Sequence, residues 1–211
     1  MIWIAAVGFV CFGICLPFFM YYKIRSRLPL ASSFKSLGTL CAFMMSLIAA
    51  IRLDPRCYIC AAALLLHAGA DYVIEFNFML GAGLFLTGHI CYIAFFLGLF
   101  PAAVSHLFIF ILLLSFMAVV FYRWRKPMGK SLPLFAVYSG VLSLMCTCAL
   151  NCFFMNTLSG ILIALGGAFF YFSDTMLLKR LLFPSGRLLD WIIIITYYIA
   201  QFLFGIACLQ L

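Results

Sequence analysis

The sequence has 211 residues, 68% of them hydrophobic and only 9% charged, with a mean hydropathy of +1.26. A soluble domain carries roughly a quarter charged residues, so a water-facing surface is excluded and the outer face must meet lipid. The net charge of +8 does not point to nucleic acid, because the positive residues sit in short clusters between apolar runs, where they encode topology.

A membrane span needs about 20 apolar residues, and the charged loops leave room for about eight. The expectation is an all-α, polytopic bundle of about eight transmembrane helices, with residues 1–211 forming one domain. The first span runs from Ile2 to Tyr22 and is ended by Lys23, Arg25, Arg27 and Pro29. Its positive charge follows the apolar stretch instead of preceding it, which reads as a retained first span and not a cleaved signal peptide. The second runs from Phe34 to Ile51, closed by Arg52, Asp54, Pro55 and Arg56, and the third from Cys57 to Ile74, with Glu75 and Asn77 beyond it. The fourth covers Leu80 to Leu97, and the fifth begins after Pro101 and ends at Tyr122. A basic loop follows (Arg123, Arg125, Lys126, Lys130), in which Pro127 and Pro133 oppose a continuous helix. The sixth, seventh and eighth spans cover Leu134–Leu150, Thr157–Leu178 and Asp190 to the C-terminus.

The loops after spans one, five and seven hold most of the lysine and arginine. By the positive-inside rule they are cytoplasmic, which puts both termini on the non-cytoplasmic side. All loops are short, so any chemistry belongs to the bundle itself.

Most of the ten cysteines lie inside apolar runs and read as small hydrophobic side chains. Cys57 and Cys60 form a lone CxxC without a second pair, and a zinc site needs about four ligands, so packing is expected and no metal is assigned. Gly160, Ala164 and Ala168 at four-residue spacing read as a close-packing face. His106, Glu75 and Asp190 read as wet helix ends, and Trp124 and Trp191 as part of the interfacial aromatic belt.

Ionisable groups inside a bilayer are costly and are functional candidates by default. Span three carries His67, Asp71 and Glu75, four residues apart and so on one helix face. His67 alone reads as a hydrogen-bonded bundle residue. Span four carries His89 and Tyr92; span seven, Tyr171, Ser173 and Asp174; span eight, Tyr197, Tyr198 and Gln201. Lys35 opens span two and Tyr138 lies in the first turns of span six. At a rise of ~1.5 Å per residue, Lys35, Asp71, His89, Tyr138, Asp174, Tyr198 and Gln201 all fall in the same half of the bilayer. Facing inward, they would line one polar cavity open to the cytoplasmic leaflet. Asp174 also has Lys179 and Arg180 nearby, which admits a structural ion pair.

Gly83-Leu84-Phe85 followed by His89, Tyr92 and Phe95-Phe96 resembles the fourth-span signature of the YhhN-like membrane proteins, the lysoplasmalogenase family. Gly167-Ala168-Phe169-Phe170-Tyr171-Phe172-Ser173-Asp174 resembles that family's small-aromatic-Ser-Asp segment, and Tyr197-Tyr198-Ile199-Ala200-Gln201 its last-span element. Asp71 stands where the family has a Gly-Asp pair, with Ala70 replacing the glycine, and Lys35 lacks the proline expected after it. The resemblance implies hydrolysis of the vinyl ether bond of a lysophospholipid, the lysoplasmalogen, held within the membrane. The products would be a fatty aldehyde and a glycerophospho-ethanolamine or -choline. An enol ether must be protonated on carbon before water adds, which calls for a general acid and a nearby carboxylate. Asp71 and Asp174 would be that catalytic pair. His89, Tyr92, Tyr138, Tyr198 and Gln201 would orient water or the glycerol hydroxyls, and Lys35 would meet the substrate phosphate. No cofactor is expected, and the oligomeric state is left open. The residues by themselves equally admit a small transporter or lipid-binding protein that uses the same polar cavity.

Overall fold

The computed structural model describes residues 2–211, and among these the regular structure is all helical. In chain order the α-helices are α1 (Ile2–Gly8), α2 (Leu16–Ile24), α3 (Leu28–Arg52), α4 (Cys57–Val73), α5 (Phe78–Leu99), α6 (Val104–Met128), α7 (Leu132–Asn151), α8 (Leu158–Leu182) and α9 (Arg187–Cys208). A wider π-helical stretch, Phe9–Cys15, joins α1 to α2 in one rod.

Six segments are long and apolar enough to cross a membrane, against the eight expected. Two places account for the difference. Helix α4 has only 17 residues. The segment Val104–Met155 spans 52 residues without a long break, which would extend ~78 Å if straight, more than twice the hydrocarbon thickness. It is instead a hairpin. The Ser105 hydroxyl at the start of α6 donates to Asn151 Oδ1 at the end of α7, so the chain reverses around Gly129, whose positive φ of 53° suits a residue without Cβ. Pro127 is accommodated inside α6, and Pro133 sits in the first turn of α7, where no amide donor is needed.

The core lies among α3, α4, α5, α8 and α9, whose contacting faces carry small residues. Helix α4 buries Ala61, Ala63, Ala68 and Ala70. The four-residue face expected on α8 is corrected: Gly160 and Ala164 are buried but Ala168 is exposed. Each four-residue step advances ~40° round the helix, so two steps carry Ala168 off the contact. Gly166 and Gly167 take its place, and a Cβ on Gly167 would lie 2.5 Å from the Ala149 Cβ of α7. Cys57 and Cys60 are fully buried, with the Cys57 thiol donating to the Cys208 carbonyl at 3.8 Å.

Helix direction places the ends of α2, α4, α6 and α8 and the starts of α3, α5, α7 and α9 at one end of the bundle. Every lysine and arginine except Arg52 and Arg56 lies in that half. At the opposite end the Asp54 carboxylate binds the Arg56 guanidinium at 2.7 Å, and these hydrogen bonds hold the Asp54 carboxyl below the usual carboxylate range. The charge asymmetry is therefore sharper than a count of basic residues implies.

Candidate functional site

The site has two polar centres, one around each intramembrane aspartate; both aspartates lie in the basic half of the bundle, and the network behind Asp71 runs past the midpoints of α5 and α9 at Tyr92 and Gln201. Asp71, near the end of α4, is fully buried. Lys35, two turns into α3, places its ammonium 3.0 Å from Asp71 Oδ1. Oδ2 accepts from the Thr39 hydroxyl, one helical turn further along α3, and from the Tyr197 hydroxyl of α9 at 2.8 Å. All three partners donate hydrogen, so the arrangement is complementary to a carboxylate.

Behind Tyr197 the hydrogen bonds can be given directions. The Phe85 carbonyl only accepts, so its 3.2 Å bond assigns the proton of His67 to Nε2. His67 Nδ1 then accepts from the Gln201 amide at 2.8 Å. The same amide donates to the Tyr197 hydroxyl at 3.0 Å, and Gln201 Oε1 accepts from the Tyr92 hydroxyl at 2.7 Å. Gln201 thereby ties α4, α5 and α9 together through both amide protons and the amide oxygen. Gly88 makes room for this: a Cβ there would collide with the His67 ring.

Asp174 of α8 forms the second centre. Its Oδ2 accepts from the Tyr138 hydroxyl of α7 at 2.8 Å, and that hydroxyl lies 3.2 Å from His89 Nε2 of α5. With the tyrosine proton committed to the carboxylate, His89 donates through Nε2, and its Nδ1 is buried without a partner among the described residues. Each aspartate is thus served by a tyrosine that a histidine backs, through Gln201 in one case and directly in the other. The two imidazoles meet edge to face at 5.0 Å, with Phe170 packed against both.

Two cavities meet at Asp174. One, of about 270 Å³, has a charged wall containing Lys23, Lys35, Glu75, Arg180 and Asp190. The other, of about 190 Å³, is lined mainly by apolar side chains of α5, α7 and α8, and Asp174 is its one carboxylate. Phe85 and Leu177 border both.

The expected site residues separate into three sets. Asp174 and Tyr138 face the cavities, and Lys35 faces the charged one while paired to Asp71. Asp71, His89, Tyr92 and Gln201 stand behind the walls as buried hydrogen-bonded groups. The expectation of two carboxylates facing one substrate is corrected on this point: the partners of Asp71 enclose it, and it borders neither cavity. Tyr198 is also corrected. Its hydroxyl donates to the Phe34 and Lys35 carbonyls, both at 3.0 Å, and its ring fills the space left by Gly38. It clips α9 to the start of α3, whereas its neighbour Tyr197 reaches the aspartate.

Arg180 does not pair with Asp174. It binds Asp190 at 2.9 Å, and Lys23 lies 3.7 Å from the same carboxylate, so Asp190 joins the ends of α2, α8 and α9. Thr39 was not anticipated as a site residue; its place one turn after Lys35, on the same face of α3, is the signal that would have found it. Among the described residues no group of three or more His, Cys, Asp or Glu side chains is arranged to hold a metal ion.

No curated protein and no solved structure matches the chain. The YhhN family model matches residues 30–207, and the chain belongs to the YhhN family.

Proposed function

We propose that the protein is a membrane-embedded hydrolase that cleaves the vinyl ether bond of lysoplasmalogens, releasing a fatty aldehyde and a glycerophospho-ethanolamine or -choline. Membership of the YhhN family suggests a lysoplasmalogenase-type membrane protein. The observation that carries the reading is the position of Asp174, where a charged cavity and an apolar cavity meet. A lysoplasmalogen has its vinyl ether at the corresponding place, between a charged head group and an aliphatic chain.

In this reading the Asp174 carboxyl gives its proton to the outer carbon of the C=C–O unit, forming an oxocarbenium ion beside the new carboxylate. Water adds to the carbon bearing oxygen and returns a proton to Asp174. The resulting hemiacetal collapses, its hydroxyl proton passing to the glycerol oxygen as the C–O bond breaks. One water is consumed and the acid is regenerated. Tyr138, held by His89, orients the Asp174 carboxyl. The carboxylate of Asp71 supplies the second negative charge from behind the wall and holds Lys35 and Tyr197 at the edge of the charged cavity. Lys35 and Arg180 offer positive charge to the phosphate.

Asp174→Asn keeps the size of the side chain and removes the transferable proton. Turnover is expected to fall by at least about 100-fold in protein that still inserts and elutes as the wild type does. Near-normal turnover by such protein would remove Asp174 from the reaction.

A further inference from the structure

The apolar cavity has two unusual walls. Several residues that line it are also exposed on the flank of the bundle: Met79 is 62% exposed and Val137 60%, and Leu134 is exposed as well. Met79 belongs to the first turn of α5, and Leu134 and Val137 to the first two turns of α7. The cavity therefore opens sideways, between α5 and α7, onto the surface that meets lipid. Its other end stops at the buried Met117 of α6, Leu142 of α7 and Leu178 of α8, beside the half-buried Asp174.

The second wall is Gly83, five residues into α5. It lines the cavity, and a Cβ built there would meet nothing within 4 Å. Gly81 and Gly88 on the same helix are different, since a Cβ on either would run into Ile74 or His67. Gly83 thus keeps cavity space empty without being needed for helix packing. Elsewhere in a helix interior, glycine costs ~0.5–1 kcal/mol relative to alanine.

We propose that the cleft between α5 and α7 is a lateral portal and binding site for the single aliphatic chain of a lysolipid, and that Gly83 sets the chain length it accepts. This rests on the hydrolase reading for the position of the head group. The single chain is favoured over a two-chain phospholipid by the adjoining spaces themselves: one apolar cavity of about 190 Å³ joins one charged cavity at Asp174. The chain enters sideways while the phosphate stays at the bundle end with Lys35 and Arg180. Gly83→Leu would project a branched side chain into the space the chain would occupy.

Two measurements test the site, and they separate it from the reaction. In the first, a saturated alkyl-ether lysophosphoethanolamine with a diazirine in its chain, which has no vinyl ether to cleave, is photo-crosslinked to the wild-type protein. The mapped adducts are expected on Met79, Leu134, Val137 or their immediate neighbours, and to be displaced by excess unlabelled lysolipid. Adducts spread over the lipid-facing residues of all helices, undisplaced by lysolipid or displaced equally by a two-chain phospholipid, would overturn the proposal. In the second, the ratio of kcat/KM for a long-chain vinyl-ether lysolipid to that for a short-chain one is compared between wild type and Gly83→Leu. The ratio is expected to fall at least about tenfold, as steric changes in apolar pockets produce; an unchanged ratio would overturn the assignment of Gly83. Specific crosslinking without aldehyde release would retain the site and remove the hydrolase reading, while aldehyde release with adducts elsewhere would do the reverse.

Discussion

Lys35 and Asp71 show how much a buried charge depends on its partner. Their side chains are 16% and 0% exposed, and the carboxylate has only Lys35 as a cation at 3.0 Å. Removing one member leaves the other charge uncompensated, which costs ~3–5 kcal/mol for a buried pair. Lys35→Met should therefore lower the thermal stability of the detergent-solubilised protein by that order, and the Lys35→Met/Asp71→Asn double variant should recover most of the loss. Equal losses in the single and double variants would show that the pair does not act as a unit. Gly88 is a second position where one side chain decides the fit. Gly88→Ala drives a methyl into the His67 ring, and overpacking of this kind costs ~1–3 kcal/mol; a melting temperature equal to wild type would mean that the Gln201 network can shift to accommodate it.

The residue types of the site were legible in the sequence because a polar group in an apolar helix is conspicuous, whatever its neighbours. Asp71, Asp174, His89, Tyr138 and Gln201 all stand out on that ground. Their partners were not legible to the same degree. Tyr197 and Tyr198 are adjacent and chemically identical, and only the rotation of α9 about its axis decides which reaches Asp71 and which reaches the carbonyls of α3. Arg180 lies six residues from Asp174 in sequence, yet Asp190 of the next helix takes it.

Among the elements, α9 carries the most distinct division of labour. Its inward face presents Tyr197 and Gln201 to the Asp71 centre, while Tyr198 fastens the same helix to α3. Tyr198→Phe removes one donor shared by two carbonyls and should cost ~1 kcal/mol of stability. Tyr197→Phe removes a bond to the buried carboxylate and should reduce turnover more than Tyr198→Phe does, measured as kcat on a vinyl-ether lysolipid. The reverse order would place the functional tyrosine at 198. Helix α6 was legible as a span, but its union with α7 in one hairpin was less so. Pro127 and Pro133 suggested a break, whereas one proline lies inside α6 and the other starts α7, and Gly129 makes the turn. Helix α4 was expected to end at about Ile74 and ends at Val73; α3 and α5 bury its alanine face, while Tyr58, Ile59, Leu65 and Tyr72 stay exposed on the other.

For the whole molecule, the charge distribution and the helix directions give one orientation. The half that holds both cavities also holds all lysines and arginines but Arg52 and Arg56, and we expect this half to face the cytoplasm by the positive-inside rule. A reporter fused after Leu211, active only outside the cytoplasm, should then be active; activity of a cytoplasm-only reporter at the same place would invert the topology. The all-helical class was readable from composition, and the place of both aspartates in the basic half from their depth in the spans, whereas Gln201, expected in the same half, lies past the midpoint of α9. The division into a charged and an apolar cavity was not, because it depends on which side chains leave space, and Gly83 contributes to it through what it lacks.

Aldehyde release by purified protein decides whether the bond cleaved is a vinyl ether. A vinyl-ether lysophospholipid and its saturated alkyl-ether counterpart should be presented to the same folded preparation. Aldehyde from the vinyl ether alone, absent with Asp174→Asn, is the predicted result. Folded wild-type protein that releases no aldehyde from either lipid, across ethanolamine and choline head groups, would contradict the hydrolase and leave a lipid-binding or transport role for the same cavities.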